Sequence, residues 1–225
     1  MDNLRRLWWK IVGFGFRLLY NEMAFTYNLV SSAVSLGAWR CWQQAALPHL
    51  AGVSGWVLEL AHGTGNLQLD LHDAGFQSIG YDLSPYMGRI ASAKLRRAGQ
   101  PVRLTCGMAQ HLPFPDAAFG AVVSTFPTNF IIAPETLHEI HRVLRPDGHL
   151  VIVTNGILTG GDVISSGIEW LYRITGQREN RTAQPTLPES QDIDRYFAPA
   201  GFALEMHNVA CPRSVAQIIV ARKKV

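Results

Sequence analysis

The stretch VLELAHGTGNLQLD, residues 57 to 70, joins an apolar run holding one carboxylate, Glu59, to a glycine pair, Gly63 and Gly65, and then to a helical pattern. A glycine pair between a strand and a helix lets backbone N–H groups approach a ligand that any Cβ would hold off. Asp82 follows Gly63 by nineteen residues and ends the next apolar run. An acid there can accept hydrogen bonds from both hydroxyls of a ribose. Together the turn and the acid point to a nucleoside-bearing ligand, although Gly63-Thr64-Gly65 alone could be a plain tight turn and Asp82 a helix-start residue favoured by the dipole. Gln68 stands where a dinucleotide fingerprint wants a third glycine, so the spacing leaves NAD and other adenosine cofactors open.

The elements that must position these residues alternate. WVLEL reads as a strand, NLQLDLHDAG as a helix stopping at Gly75, and SIGYD as a second strand. SPYMGRIASAKLRRAG opens with a serine cap and a proline and stops at Gly99. VRLTC, FGAVVST and GHLVIVT read as three more strands, with PETLHEIHRVL as the helix before the last. Alternating strands and helices imply a parallel sheet covered on both faces, with ligands at the carboxyl ends of the strands near the switch point.

At 225 residues and 48% apolar content the chain is long enough for one large domain and its core. A net charge of +3 with scattered basic residues gives no footprint for nucleic acid. Lys94, Arg96 and Arg97 would complement the C-terminal dipole of their helix. Cys41, Cys106 and Cys211 are odd in number and far apart, which predicts neither a disulfide framework nor a zinc site and suggests a reducing compartment. His138 and His141, with Glu139 and Arg142, read as a surface helix face, so no metal is expected.

From residue 56 to 154 the chain resembles the class I S-adenosylmethionine-dependent methyltransferases. LELAHGTGNL matches the first motif, Asp82 in GYDLSPYM the ribose acid, GMAQHLPFPDAAFGAVVST the segment around the fourth strand, and EIHRVLRPDGHLVIV the helix, turn and fifth strand. The resemblance implies a Rossmann-like α/β fold with a mostly parallel seven-stranded sheet, and S-adenosyl-L-methionine as cofactor. It places Glu59, Ala61, Gly63 and Gly65 at the methionine part of the cofactor, Asp82 at the ribose, and Leu83, Met108, Ala109 and Leu112 around the adenine. Thr125 would sit beside the reaction centre in STFPTNF, with Asn129 and Tyr27 as further candidates for positioning the acceptor. Met108 and Gly120 stand where the family usually has Asp, and His62 where it often has Cys.

The acceptor must be read from the pieces outside the core. Leu4, Leu7, Trp8, Ile11, Gly15, Leu18 and Leu19 fall on one helix face and Arg6, Lys10 and Arg17 on the other. That pattern is interfacial, too short and charged to span a bilayer, and it suits an anionic membrane surface touched through residues 1–20. A helix covering the active site is the alternative for this extension, residues 1–50, ahead of the methyltransferase domain at 51–225. A helical cap is expected at about 157–190, amphipathic from Ile164 to Ile174. YNLVSSAVSLGAWRCW is similar to the segment before the first motif in ubiquinone and menaquinone biosynthesis methyltransferases through Tyr27, Ser35, Gly37, Arg40 and Trp42, with Asn28 and Ser31 as departures. The implied acceptor is a small apolar or lipid-like molecule, with phospholipid N-methylation the runner-up. The implied place is the cytoplasm, peripherally on the inner face of the membrane. An NAD-dependent oxidoreductase and a non-catalytic cofactor-binding protein remain as readings from other classes.

Overall fold

The computed structural model describes residues 31, 32, 35, 37–159 and 193–224. The N-terminal stripe, Tyr27 and almost all of the expected cap at 157–190 lie outside the described residues.

Seven strands form one sheet in the order β3-β2-β1-β4-β5-β7-β6. These are β1 (Trp56–Leu60), β2 (Gln77–Asp82), β3 (Leu104–Cys106), β4 (Phe119–Thr125), β5 (Leu144–Leu158), β6 (Phe202–Cys211) and β7 (Ser214–Lys223). Strands β1 to β5 pair in parallel, and β7 runs antiparallel between β5 and β6. The α-helices that lie wholly within the described residues are α1 (Trp39–Gln44), α2 (Asn66–Asp73), α3 (Pro85–Arg97), α4 (Pro134–Val143) and α5 (Asp194–Phe197). This is the mostly parallel sheet that the alternation predicts, and β1 beside β4 is its switch point.

Successive residues of a strand point to opposite faces, so a sheet covered twice needs apolar side chains at every position. Val57, Ala121, Val123, Val151 and Val153 bury one face under Trp42 of α1 and Leu67 and Leu71 of α2. Leu58, Val122, Leu150 and Ile152 bury the other under Leu137 and Ile140 of α4 and Phe197 of α5. The serine cap is real: the Ser84 hydroxyl accepts from the Met87 N–H at the start of α3.

One departure from the family pattern, Gly120, has a packing reason. Strand β4 shifts register against β5 between Phe119 and Ala121, and a Cβ on Gly120 would lie 2.1 Å from the Ser54 carbonyl oxygen. No aspartate fits there. The expectation of three unpaired cysteines is corrected: Cys41 and Cys211 form a disulfide across 170 residues of sequence, leaving Cys106 free. They meet because α1 lies across the β6–β7 hairpin, where Trp42 Nε1 also donates to Ser214 Oγ at 2.9 Å. Among the described residues no group of His, Cys, Asp and Glu could hold a metal, and no helix is long and apolar enough to cross a membrane.

Candidate active site

The turns after β1 and β2 are locked to each other by the Asp82 carboxylate. One oxygen accepts from the Gly63 N–H at 2.8 Å and the other from the Ser84 N–H at 2.7 Å. A carboxylate oxygen has a second lone-pair direction, so both retain acceptor capacity for a pair of hydroxyls. A groove of about 430 Å3 opens beside them, lined by His62, Asp82, Ser84, Arg89, Thr105 and Cys106.

The two glycines do different work. Gly63 has φ +54° and a Cβ there would meet nothing within 4 Å, so this is where a ligand can approach the backbone. Gly65 has φ +75°, and its Cβ would lie 2.8 Å from the Ala91 Cβ on α3. A side chain at 65 therefore collides with α3 whether or not a ligand is bound. Ala61 also takes a left-handed conformation, φ 56°, as does Phe126 beyond β4, φ 52°. Such backbone costs an L-residue about 1–2 kcal/mol, and it clusters here on either side of the switch point.

Under the turn lies a polar network. Glu59 is 1% exposed and accepts from Gln68 Nε2 at 2.7 Å, while Gln68 Oε1 accepts from Ser78 Oγ at 2.9 Å. The residue in place of a third glycine is thus a buried brace. Burial pushes the Glu59 carboxyl up to about 8, against the lowering hydrogen bond from Gln68. Lys94, expected at the helix dipole, turns inward instead and donates to Thr64 and Asn66. Burial holds its ammonium down to about 8. His62 is 4% exposed, and its Nδ1 lies 2.9 Å from the Gly63 carbonyl oxygen, so Nδ1 carries the hydrogen that lines the turn. Desolvation lowers its pKa, which keeps the ring neutral.

Around the expected adenine position the side chains divide. Leu83 is 68% exposed and Met108 52%, two large apolar surfaces left open beside the ends of β2 and β3. Leu112 is instead a core residue, and Ala109 packs partly against the same cluster. The Leu112 N–H donates to Glu139 Oε2 at 2.7 Å. Arg142 holds the Leu112 and Phe114 carbonyls, Asp116 and Glu139. Glu139 and Arg142 are therefore the clamp on the loop before β4, more than a surface helix face. The arginine holds the Glu139 carboxyl below the usual range.

At the end of β4, Ser124 Oγ donates to the Leu60 carbonyl at 2.9 Å, tying the ends of β4 and β1. Thr125 and Asn129 are partly exposed there, and Asn129 Oδ1 is a buried acceptor with no protein partner. The rings of Phe126 and Trp39 stack at 4.2 Å.

Residues 58–152 match the methyltransferase domain family. The chain has the class I methyltransferase fold. Over 139 residues it is 37% identical to a demethylmenaquinone methyltransferase of Thermus thermophilus, covering 60% of this chain and 63% of that one. Over 144 residues it is 31% identical to the ubiquinone/menaquinone biosynthesis C-methyltransferase UbiE of Citrifermentans bemidjiense, covering 61% of each. These matches span less than two thirds of the relatives' own length. A geranyl diphosphate methyltransferase structure with 15% identity superimposes with a TM-score of 0.61 over 82% of this chain and 78% of that one, which is a likeness of fold.

Proposed function

We propose that the protein is an S-adenosylmethionine-dependent methyltransferase acting on a small apolar, ring-bearing acceptor at the membrane surface. The observation that carries this reading is the pairing of the open approach at Gly63 with the Asp82 carboxylate, flanked by exposed Leu83 and Met108. Asp82 suits a ribose, the two apolar side chains suit an adenine, and the buried Glu59 suits an ammonium group. The relatives' names favour a quinone-type acceptor. A bound S-adenosylmethionine supplies a methyl group on a sulfonium, already activated for in-line displacement. The chain's own task is then alignment and exclusion of water. Thr125 at the end of β4 and Asn129 after it are our candidates for orienting an acceptor, and the unpartnered Asn129 Oδ1 can accept a hydrogen bond from it. Calorimetry with S-adenosylhomocysteine and with NAD tests the cofactor: binding of NAD alone would overturn the reading. A screen of naphthohydroquinones, phenols and phospholipids with methyl-labelled cofactor then tests the acceptor, and label in phospholipid alone would replace the quinone class.

Glu59 gives the cofactor reading a pH signature. In the free protein its carboxyl keeps its proton below about 8. An arriving ammonium favours the carboxylate, so binding expels a proton at pH 7. Affinity for S-adenosylhomocysteine should therefore climb as pH rises toward 8 and level off above it. Calorimetry in two buffers of different ionisation enthalpy should detect up to one proton released, and Glu59→Gln should abolish that release. Because Lys94 titrates in the same range, release that persists in Glu59→Gln would transfer the role to Lys94.

The membrane part of the proposal rests on the N-terminal stripe of the sequence. Arg6, Lys10 and Arg17 should each contribute about 1 kcal/mol on anionic vesicles, added to apolar burial by Leu7, Trp8, Ile11 and Leu18. Deleting residues 1–19 should reduce co-sedimentation with such vesicles, and high salt should weaken binding of the full chain. Equal sedimentation of the truncated and full chains would remove the membrane from the proposal.

A further inference from the structure

We propose that Trp39 is an acceptor-recognition residue and that the Cys41–Cys211 disulfide is a redox latch holding it in place; this rests on the ring-bearing acceptor proposed above. The cofactor-side groups, Gly63, Asp82 and Ser84, stand at the ends of β1 and β2. Across the switch point, beyond β4, stands an aromatic surface. Phe126 is fixed there by its N–H, which donates to the Val153 carbonyl at 2.8 Å. The Trp39 ring stacks on it at 4.2 Å with 28° between the planes, and the Trp42 ring meets it edge-on at 6.1 Å. Trp39 and Phe126 are both partly exposed, so the pair offers apolar ring surface where an acceptor must come to meet the methyl group.

Nothing in α1 alone would keep Trp39 there. The helix has six residues, too few to persist without tertiary ties. On one side Arg40 and Gln44 both donate to Asp70 Oδ1 of α2, at 2.6 and 3.0 Å. On the other, α1 reaches the β6–β7 hairpin through the disulfide and the Trp42–Ser214 hydrogen bond. Gly156 of β5 has no Cβ where the Trp42 ring lies, so the ring seats directly on the strand. The bridge is the covalent tie of this end, and it joins Cys41, next to Trp42, to the end of β6. A further tie to α2 runs from Asn66 Nδ2 to Gln43 Oε1 at 3.3 Å, while the Asp82 carboxylate is held by the Gly63 and Ser84 N–H groups.

The bridge is reachable. Both cysteines are partly exposed, and a cavity of about 210 Å3 lined by Ser35, Gly37, Ala38, Cys41, Leu158 and Pro212 opens onto it. A dithiol reductant would attack one sulfur as thiolate, breaking the S–S bond and forming a mixed disulfide, which its second thiol resolves. Two electrons and two protons pass to Cys41 and Cys211, and the dithiol leaves as its own disulfide. The Trp42–Ser214 hydrogen bond and apolar packing then hold the aromatic wall to the hairpin without a covalent tie.

The test uses the full chain loaded with S-adenosylhomocysteine and a prenylated 1,4-naphthoquinone in its oxidised form as the probe. One sample is kept oxidised, and the other is reduced with dithiothreitol and desalted without air. Reduction, the Cys41→Ser/Cys211→Ser pair and Trp39→Ala should each lower quinone affinity about tenfold, the scale of one lost aromatic contact, while Trp39→Phe restores most of it. The affinity for S-adenosylhomocysteine should stay within about twofold throughout, a change of roughly 0.4 kcal/mol. Hydrogen exchange at residues 38–46 should accelerate on reduction while 56–82 stay protected. Equal quinone affinity in the oxidised and reduced protein overturns the latch, as does a parallel fall in cofactor affinity, which would make the bridge a staple of the whole fold. If the quinone binds neither form, the acceptor reading fails and exchange at 38–46 decides the latch: acceleration confined to α1 sustains it, and unchanged exchange ends it.

Discussion

Asp82→Ala is expected to weaken S-adenosylhomocysteine binding by roughly 2 to 4 kcal/mol, about thirtyfold to nearly a thousandfold, in a protein that still folds. Two losses add up in this figure. The first is the direct one, a carboxylate facing a pair of hydroxyls. The second is the grip of Asp82 on the Gly63 and Ser84 N–H groups, without which both turns lose their mutual registration. Asp82→Asn separates them: it keeps one acceptor oxygen but brings an NH2 donor against one of the two N–H groups, so its loss should be smaller but clear. The core contacts of β2 are made by other residues, Tyr81 among them, so the melting temperature should move little. Titration calorimetry beside thermal unfolding reads both quantities, and an unchanged isotherm in a folded Asp82→Ala would take this carboxylate out of the site.

What the sequence made legible was local. The five parallel strands, the helices capped at Ser84 and stopped near Gly75 and Gly99, and the pairing of Gly63 with Asp82 all follow from period, punctuation and spacing, which are properties of neighbouring residues. What it concealed was made by distant chain segments meeting. Cys41 and Cys211 are 170 residues apart, and only the lie of α1 across the β6–β7 hairpin joins them. Gly120 looked like a lost aspartate, yet it is the residue that lets Ser54 pack against β4. Glu139 and Arg142 had the spacing of a surface ion pair, which hid their hold on the loop around Leu112 and Phe114. Leu112, implied as an adenine flank, is buried in the core cluster, and its N–H is held by the same clamp. The Gln68 brace was also concealed, but it carried a usable signal: a glutamine in place of a glycine, in the first turn of the helix that follows a strand acid, asks for a polar partner.

Gly65→Ala and Gly63→Ala should fail in different ways, although the two glycines look interchangeable in the motif. At position 65 the new Cβ would lie 2.8 Å from the Ala91 Cβ and 3.1 Å from its Cα, on backbone with φ +75°. Left-handed backbone costs about 1–2 kcal/mol and forced overpacking about 1–3, so Gly65→Ala should lose roughly 2–5 kcal/mol of a stability that is itself only about 5–15. Ala91→Gly in the same chain removes the nearer collision and should restore part of the loss, less about 1 kcal/mol for a glycine inside α3. At position 63 the Cβ meets no protein atom within 4 Å and φ is +54°, so Gly63→Ala should fold with a penalty of about 1–2 kcal/mol. Its methyl stands instead in the space through which a ligand reaches the turn, and binding of S-adenosylhomocysteine should fall on the order of a hundredfold, near 3 kcal/mol. Unfolding curves and binding isotherms of the three variants decide the matter. A stable Gly65→Ala would refute the packing role against α3, and a Gly63→Ala that binds like the native chain would place the cofactor away from this turn.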